Sequence, residues 1–220
     1  MTPKRTSLGS ASARQRPRRP GRPAAAALSG EQLREAIVAG GARVYAERGY
    51  HGVTVEHVLE EAAISRPTFY RYFSDRYAVL DEMIGAVNDQ LRDLILSAVV
   101  DADDIDELLH NVVEAYFTWG ESIGPMAGPL YCEINDRASP ASKHRERLLR
   151  ELLEVFTAQP VDGLGITQEK LLFDAAMHVV EHLGHTTFWP VKLPVRAREE
   201  RKAIIVQAVR GMLSAPSESV

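Results

Sequence analysis

Apolar residues recur at intervals of three and four positions from Leu33 to Met212 of this 220-residue chain, which is the spacing of one helix face. Segments with Gly and Pro interrupt the pattern, and no stretch alternates apolar with polar residues as a β-strand does. The pattern therefore predicts an all-α fold of about nine helices. Five of these are expected at residues 103–121, 125–136, 140–158, 167–188 and 194–214.

The first helix is expected to begin after Ser29, a good N-cap residue, and to stop at Gly49. Gly40 and Gly41 lie in its interior, where each glycine costs about 1 kcal/mol relative to alanine. We therefore expect this helix to depend on packing, or to let a neighbouring element approach closely at the two glycines.

Two short helices and one long helix are expected next. Thr54 can cap the second helix, and Ser65 can cap a very short third helix. A fourth helix begins at Ser74 or Asp75 and continues to about Val100. Because the second and third helices are joined only by the residues AAIS, they are predicted to form a helix-turn-helix unit.

The stretch ISRPTFYRYFSDR, residues 64–76, mixes aromatic rings with guanidinium groups. Phe69 and Phe73 are four residues apart and are expected to face inward. An outward face with Arg66 suits a DNA major groove, because arginine can donate two hydrogen bonds to a guanine edge. The alternative is an ordinary amphipathic turn with solvated arginines. The residues expected to point outward or sideways are Arg66, Thr68, Arg71 and Tyr72, with the ring of Tyr70 flanking the helix.

Charge is distributed unevenly. The net charge is −4, but residues 1–23 contain seven Lys and Arg residues and no acidic residue, so the remainder carries −11. Such a cationic arm is expected to bind a polyanion. Its RRPGRP sequence resembles an AT-hook, which lays arginine into a narrow minor groove, although Pro20 replaces the arginine usual before the glycine. The alternative is a disordered solubilising tail. The arginines of this motif are Arg18, Arg19 and Arg22.

The first four predicted helices also share a series of residues at fixed spacing. A Gly-Tyr pair ends the first, Thr opens the second, a Ser-x-x-Thr-aromatic-Tyr pattern spans the third, and a basic residue and Leu follow. The matching residues are Gly49, Tyr50, Thr54, Ser65, Thr68, Phe69, Tyr70, Tyr72, Phe73, Arg76 and Leu80. Over residues 31–80 this series resembles the N-terminal signature of the TetR family of bacterial transcriptional regulators.

The resemblance implies two kinds of DNA contact. The residues expected near bases are Arg66, Pro67, Thr68 and Tyr70. Those expected at phosphates are Thr54, Ser65, Tyr72 and Arg76, while Arg71 suits either partner. Three positions depart from the family pattern. Ala63 stands where the family has a turn glycine, and costs about 1 kcal/mol if that position requires a positive φ. Asp75 and Tyr77 differ on either side of Arg76, and a carboxylate there weakens phosphate binding.

The resemblance also implies a domain organisation and a partner. Residues 1–28 are expected to be a disordered basic arm, 29–80 the DNA-binding domain, and 81–215 a ligand-binding and dimerisation domain. The last two helices are expected to form a four-helix bundle with a second copy, so that a homodimer binds a (pseudo)palindromic operator as a repressor. Their apolar residues include Leu171, Leu172, Ala175, Val179, Leu183, Ile204, Ile205, Val209 and Met212, some of which are alternatively core residues of one subunit.

By the same resemblance, the intervening helices enclose a pocket for a small effector that releases DNA. An abundance of large rings favours an apolar or aromatic effector, although each ring taken alone is more often a core residue. The candidate lining residues are Tyr116, Trp119, Met126, Tyr131, Phe156, Phe173, Met177, Phe188 and Trp189.

A histidine-rich segment offers an alternative chemistry. Asp174, His178, Glu181, His182 and His185 lie at helical spacing, where two histidines four residues apart can share a metal and a glutamate can activate water. The alternative function is therefore a metal-dependent helical hydrolase. Because such short coincidences are common and the segment falls on an expected dimer helix, we predict no metal site, no cofactor and no enzyme activity.

The remaining composition favours a cytoplasmic protein. The single cysteine, Cys132, cannot form an internal disulfide, and it lies in LYCEIN without an obvious base partner, which suggests a small core residue. The N-terminus lacks the apolar run of a secretion signal, and no segment approaches the roughly 20 apolar residues that span a bilayer. We expect a soluble protein of the reducing cytoplasm, associated with the nucleoid through DNA.

Deletion of residues 1–23 separates this regulator from a non-specific architectural DNA binder that depends on the arm alone. We expect the shortened protein to bind DNA more weakly but still selectively, because the arm supplies phosphate contacts and the helix-turn-helix reads bases. Competition between operator and random duplex at about 150 mM salt measures this. Complete loss of binding would favour the architectural binder.

Overall fold

A computed structural model describes residues 29–158, 170–188 and 192–213. These residues form helices joined by short turns, and no strand occurs among them, so the predicted all-α class is confirmed. The helices are α1 (Gly30–Gly52), α2 (Val55–Ala62), α3 (Arg66–Tyr70), α4 (Arg76–Val100), α5 (Ile105–Ile123), α6 (Ala127–Glu133), α7 (Pro140–Ala158), α8 (Lys170–Phe188) and α9 (Val195–Leu213).

The helix predicted at 125–136 is shorter than expected. A 3-10 turn occupies Gly124–Met126, and α6 begins only at Ala127. Pro129 then falls in the first turn of α6, where its missing N–H is not needed for an intrahelical hydrogen bond. The chain leaves α6 through a turn in which the Asp136 N–H donates to the Glu133 carbonyl at 3.0 Å.

Helix α1 packs against α2 and α4 at its two interior glycines, as predicted. A Cβ on Gly40 would lie 3.1 Å from the Cβ of Ala62, and one on Gly41 would lie 2.7 Å from a methyl carbon of Val79. The helical backbones can therefore approach closely only because both side chains are absent. This close packing offsets the poor helix propensity of the two glycines.

The predicted N-caps form around the helix-turn-helix. The Thr54 hydroxyl accepts from the His57 N–H, and the Ser65 hydroxyl accepts from the Thr68 N–H. Between these two helices, Ala63 adopts the left-handed conformation, with φ 54° and ψ 45°. The turn therefore requires a positive φ, which glycine adopts without a Cβ clash, and alanine introduces strain there.

The larger part of the molecule is built around α4, which is shared with the first three helices. Helices α5 and α7 pack along α4, while α8 packs against α9 and both contact α5. Three large apolar side chains on α8 and α9 stay exposed in the single chain, namely Leu171, Val195 and Ile204. The described part of the chain contains no helix with the length and hydropathy of a membrane span.

The substitution Ala63→Gly is expected to raise the free energy of unfolding by about 1 kcal/mol, because glycine adopts a positive φ without a Cβ clash. Urea unfolding measures the change. The matched control is Ala62→Gly, the same exchange one residue earlier in helical backbone, which is expected to lower stability by about 1 kcal/mol. Destabilisation by both substitutions would contradict strain at Ala63.

Candidate DNA-binding surface and effector pocket

The reading head, defined here as residues 55–70, is seated by two buried rings. Phe69 is fully buried and Phe73 is 3% exposed, so the predicted inward orientation of both residues is confirmed. The two ring centroids lie 6.1 Å apart. The guanidinium of Arg34 on α1 covers the Phe73 ring at 4.5 Å and donates to the Tyr72 carbonyl at 3.3 Å. These contacts hold α3 against α1.

The opposite face of α3 is open to solvent. The exposed residues are Arg66, Pro67, Tyr70 and Arg71, and Tyr70 is 50% exposed. The Tyr70 ring packs edge-on against Phe69 with centroids 5.3 Å apart. A rigid aromatic ring and two guanidinium groups therefore protrude together from one short helix, an arrangement that fits base edges and phosphates.

Hydroxyl groups line the start of each short helix. Thr54 and Ser65 are exposed, while Thr68 is half-buried and its hydroxyl lies 2.8 Å from that of Ser65. In their capping role the Thr54 and Ser65 oxygens accept from backbone N–H groups. A capping hydroxyl still has a proton to donate, so both can reach a phosphate without breaking the cap.

The Arg66 guanidinium forms an ion pair with Glu56 on α2, and both side chains are more than half exposed. Hydrogen bonding to Arg66 lowers the pKa of Glu56. Because the pair is exposed, it contributes little to stability. Its geometric effect is to hold the guanidinium beside the first turn of α2 in the absence of DNA.

Arg76 occupies a different environment from the one expected of a phosphate ligand. Its guanidinium donates to the carbonyls of Tyr50, His51 and Val53, at the end of α1. It also stacks on the Tyr77 ring at 4.4 Å and donates to the Tyr77 hydroxyl at 2.8 Å. Arg76 thus fixes the turn between α1 and α2, and its phosphate contact stays a prediction.

Tyr72 is half-buried, and the Arg71 guanidinium lies over its ring at 5.4 Å. The pair places a charged group and a hydroxyl together at the end of α3.

The predicted minor-groove arginines Arg18, Arg19 and Arg22 lie outside the described residues, and so does the rest of the 1–28 arm.

Residues 37–83, which contain the whole reading head, match the model described as bacterial regulatory proteins of the tetR family. This part of the chain is similar to the TetR family of regulators. The match extends from the middle of α1 into α4 and so includes the elements that support α3. The resemblance inferred from the sequence is therefore confirmed.

Two curated relatives extend the TetR-family comparison. The HTH-type regulator YdgC of Bacillus subtilis strain 168 is 23% identical over 57% of this chain and 66% of its own. The HTH-type transcriptional activator FasR of Mycolicibacterium smegmatis is 24% identical over 43% of each chain. The chain thus spans less than two thirds of the length of either relative.

A solved structure shows the same fold. The transcriptional regulator FadR from Bacillus subtilis, in complex with stearoyl-CoA, aligns with a TM-score of 0.61 at 16% identity. The alignment covers 82% of this chain and 97% of FadR. At that identity the likeness concerns the helical fold alone.

Behind the matched segment, helices α4 to α8 line a cavity of about 50 Å³. Its wall includes four of the predicted effector residues, namely Tyr116, Trp119, Tyr131 and Phe188. The Trp119 indole N–H donates to the Val87 carbonyl on α4 at 2.8 Å, which ties the wall to that helix. Burial raises the pKa of Tyr116, so its hydroxyl stays protonated.

Polar groups of the same wall are already paired. Arg145 on α7 makes two hydrogen bonds of 2.7 Å with Glu181 on α8, and both side chains are largely buried. Tyr131 bonds to His182 at 2.8 Å and stacks on His185 with centroids 4.0 Å apart. Because the charges of Arg145 and Glu181 cancel, this pair adds no net charge to the wall of the cavity.

A second, smaller cavity of about 20 Å³ lies between α5, α7, α8 and α9. Phe156, Phe173 and Met177 line it, so three further candidates lie away from the first cavity. Met126 packs on the core without lining either cavity, and Trp189 lies outside the described residues. The predicted aromatic set therefore divides between two sites.

Sequence reasoning missed the polar wall of the first cavity. Arg145 and Glu181 are 36 residues apart, and no local spacing signals their contact. Leu91, Leu130 and Leu148 were detectable only as ordinary helix-core positions. The aromatic residues found by the prediction are those whose size alone made them conspicuous.

The histidine-rich segment does not converge on a common point. The His178 ring lies 2.7 Å from the Asp174 carbonyl, while His182 contacts Tyr131 and Glu181 contacts Arg145. Within the described ranges, no group of three His, Cys, Asp or Glu side chains is placed to hold a metal ion.

The predicted core position of Cys132 is wrong, because its side chain is exposed near the end of α6.

His185 should make the stability of the protein depend on pH. Burial and then the neighbouring His182 lower the pKa of His185 from its ordinary value of 6.5. The unfolded chain therefore binds more protons below that pH, and stability is lost as the pH falls through 6.5 toward the folded pKa, by at most about 1.4 kcal/mol per pH unit.

The substitution His185→Gln is expected to reduce this loss of stability in acid. Urea unfolding at a series of pH values gives the slope for each protein. The matched control, His110→Gln, alters an exposed histidine on α5 and should leave the slope unchanged. A wild-type slope retained in His185→Gln would contradict the assignment.

Proposed function

We propose that this chain is a ligand-responsive transcriptional regulator that binds a (pseudo)palindromic operator as a homodimer. A small apolar or aromatic effector releases it from DNA, and where the operator overlaps a promoter the bound chain acts as a repressor. The observation that carries this proposal is the exposed face of α3, with Arg66, Tyr70 and Arg71 outward and Phe69 buried beneath them. The TetR-family match over residues 37–83 supports the same role.

A short helix-turn-helix needs a second copy for tight and selective binding, because one unit buries little surface on DNA. The exposed Leu171, Ala175 and Ile204 on α8 and α9 supply apolar surface for such a copy. In contrast, Ile205 and Val209 are buried within one chain and close its own core. Two heads about 34 Å apart would then face successive major grooves.

The effector class follows from the first cavity. Its wall combines large rings with an ion pair whose partners satisfy each other, so an apolar molecule binds there without leaving a charge unpaired. The cavity volume of about 50 Å³ is well below the roughly 300 Å³ or more of typical ligand sites. An effector must therefore displace helices or side chains to enter.

The small volume of the cavity provides the mechanism by which the effector would release DNA. If the effector binds only a conformation in which the pocket is opened, it shifts the protein toward that conformation by no more than its own preference between the two states. Helix α4 carries pocket residues Asn88 and Leu91 and begins beside α3. Displacement of α4 would therefore reposition the reading heads and lower DNA affinity.

Two relatives bear on the effector class and on the sign of regulation. FadR of Bacillus subtilis holds stearoyl-CoA, which makes a hydrophobic effector a reasonable class for a related fold. FasR is named an activator, so the sign of regulation depends on where the operator lies relative to the promoter. A screen for compounds that release bound DNA should begin with small aromatic and aliphatic molecules.

The substitution Arg66→Ala is expected to lower discrimination between operator and random duplex by about 10- to 100-fold, because a bidentate arginine–guanine contact discriminates by about 1–3 kcal/mol. Competition binding with the selected operator measures this ratio. Arg137→Ala is the matched control, since it removes the same charge from an exposed position between α6 and α7. It should leave the ratio unchanged.

Two results would count against this assignment. An equal loss of affinity for operator and random DNA in Arg66→Ala would assign Arg66 to a phosphate. The absence of any operator preference in the wild-type protein would contradict the proposed function as a whole.

A further inference from the structure

Helix α6 lies between the effector pocket and the DNA-binding domain. Leu130 and Tyr131 on α6, and Ile134 directly after it, line the first cavity. Glu133 lies between them in sequence but makes its contacts in the opposite direction, toward α1. Helix α6 therefore contacts the pocket with one side and α1, which supports the reading head, with the other.

Glu133 is a buried carboxylate with three hydrogen-bond donors. One oxygen accepts from the Tyr50 backbone N–H at 2.7 Å, and the other accepts from the Tyr45 hydroxyl at 2.9 Å and the Ser139 hydroxyl at 3.0 Å. Glu133 as a whole is only 8% exposed. We call this set of contacts, Glu133 with Tyr45, Tyr50 and Ser139, the Glu133 latch.

The Glu133 latch contacts α1 where the helical backbone of α1 is interrupted. Gly49 interrupts α1 with φ 64°, and a Cβ added there would lie 3.2 Å from a Glu133 oxygen. Tyr50 follows directly; its N–H donates to Glu133, and its carbonyl accepts from Arg76. The segment that leads from α1 into α2 is thus held by a carboxylate from α6 and a guanidinium from α4.

Stability alone does not account for a carboxylate in this place. A buried charge loses its hydration, and well-packed apolar side chains often stabilise such a site equally well. What a carboxylate adds is direction, because hydrogen bonds to a charged group are short and depend on angle. Burial and the Glu133 carboxylate raise the pKa of Tyr45, which keeps that hydroxyl a donor.

We infer that Glu133 is a positioning residue for DNA recognition, which fixes the orientation of the reading head relative to α6. This inference rests on the proposed function, since it requires two heads that read two half-sites. The latch acts through Tyr45 and Tyr50, and Glu133 itself contacts no DNA. Its loss should leave each head able to bind while relaxing the distance between the heads.

The test uses a duplex that the full-length wild-type protein enriches from a random library, together with the same duplex carrying one inserted base pair between its half-sites. The substitution Glu133→Ala should reduce the preference for the original spacing by about 10-fold, because the hydrogen bonds that orient the reading head relative to α6 are lost. Affinity for a duplex with a single half-site should stay unchanged. A merely structural loss would lower both affinities together.

Two further variants keep the test decisive if Glu133→Ala folds poorly. Glu133→Gln should restore the spacing preference in part, because the Tyr45 and Ser139 hydroxyls can accept from an amide, but the amide lacks the charge that strengthens these hydrogen bonds. Tyr45→Phe removes one donor without changing the ring, and should weaken the preference in part. The matched control is Glu114→Gln, which alters an exposed glutamate paired with Lys202 between α5 and α9.

The outcomes separate the two proposals. If the wild-type protein enriches no sequence, the proposed function fails and the positioning role fails with it. If it enriches an operator but Glu133→Ala and Tyr45→Phe keep the full spacing preference, only the positioning role is overturned. An equal loss of spacing preference in Glu114→Gln would also overturn it.

Discussion

The burial of Phe69 and Phe73 is the contact on which the DNA-binding surface depends. Helix α3 has five residues, and a helix of this length has no stability of its own in water. It is held in place by two buried rings, the overlying Arg34 guanidinium and the Ser65 cap. The same rings determine which residues face outward, so the core of this small domain also sets its candidate DNA-binding surface.

Two kinds of contact connect this domain to the pocket. Helix α4 runs continuously from beside α3 to the cavity, and Trp119 is hydrogen-bonded to its backbone. Helix α6 reaches α1 through the buried Glu133 carboxylate. A cavity of about 50 Å³ lies between these two connections, so under the proposed function an effector that widens the cavity is expected to disturb at least one of them.

Local sequence signals predicted much of the fold because they depend on near neighbours. Capping hydroxyls at Thr54 and Ser65 and the spacing of Phe69 and Phe73 identified the helix-turn-helix. Large rings identified only part of the pocket. The contacts of Glu133 with Tyr45 and of Arg145 with Glu181 join residues 88 and 36 positions apart, and nothing local in either segment indicates its partner.

The most direct test of the central claim is selection of duplexes from a random library by the full-length protein at about 150 mM salt, followed by sequencing. The account predicts a common (pseudo)palindrome whose half-site centres lie about one helical turn, or 34 Å, apart. A bound pool without any shared motif would contradict sequence recognition by α3.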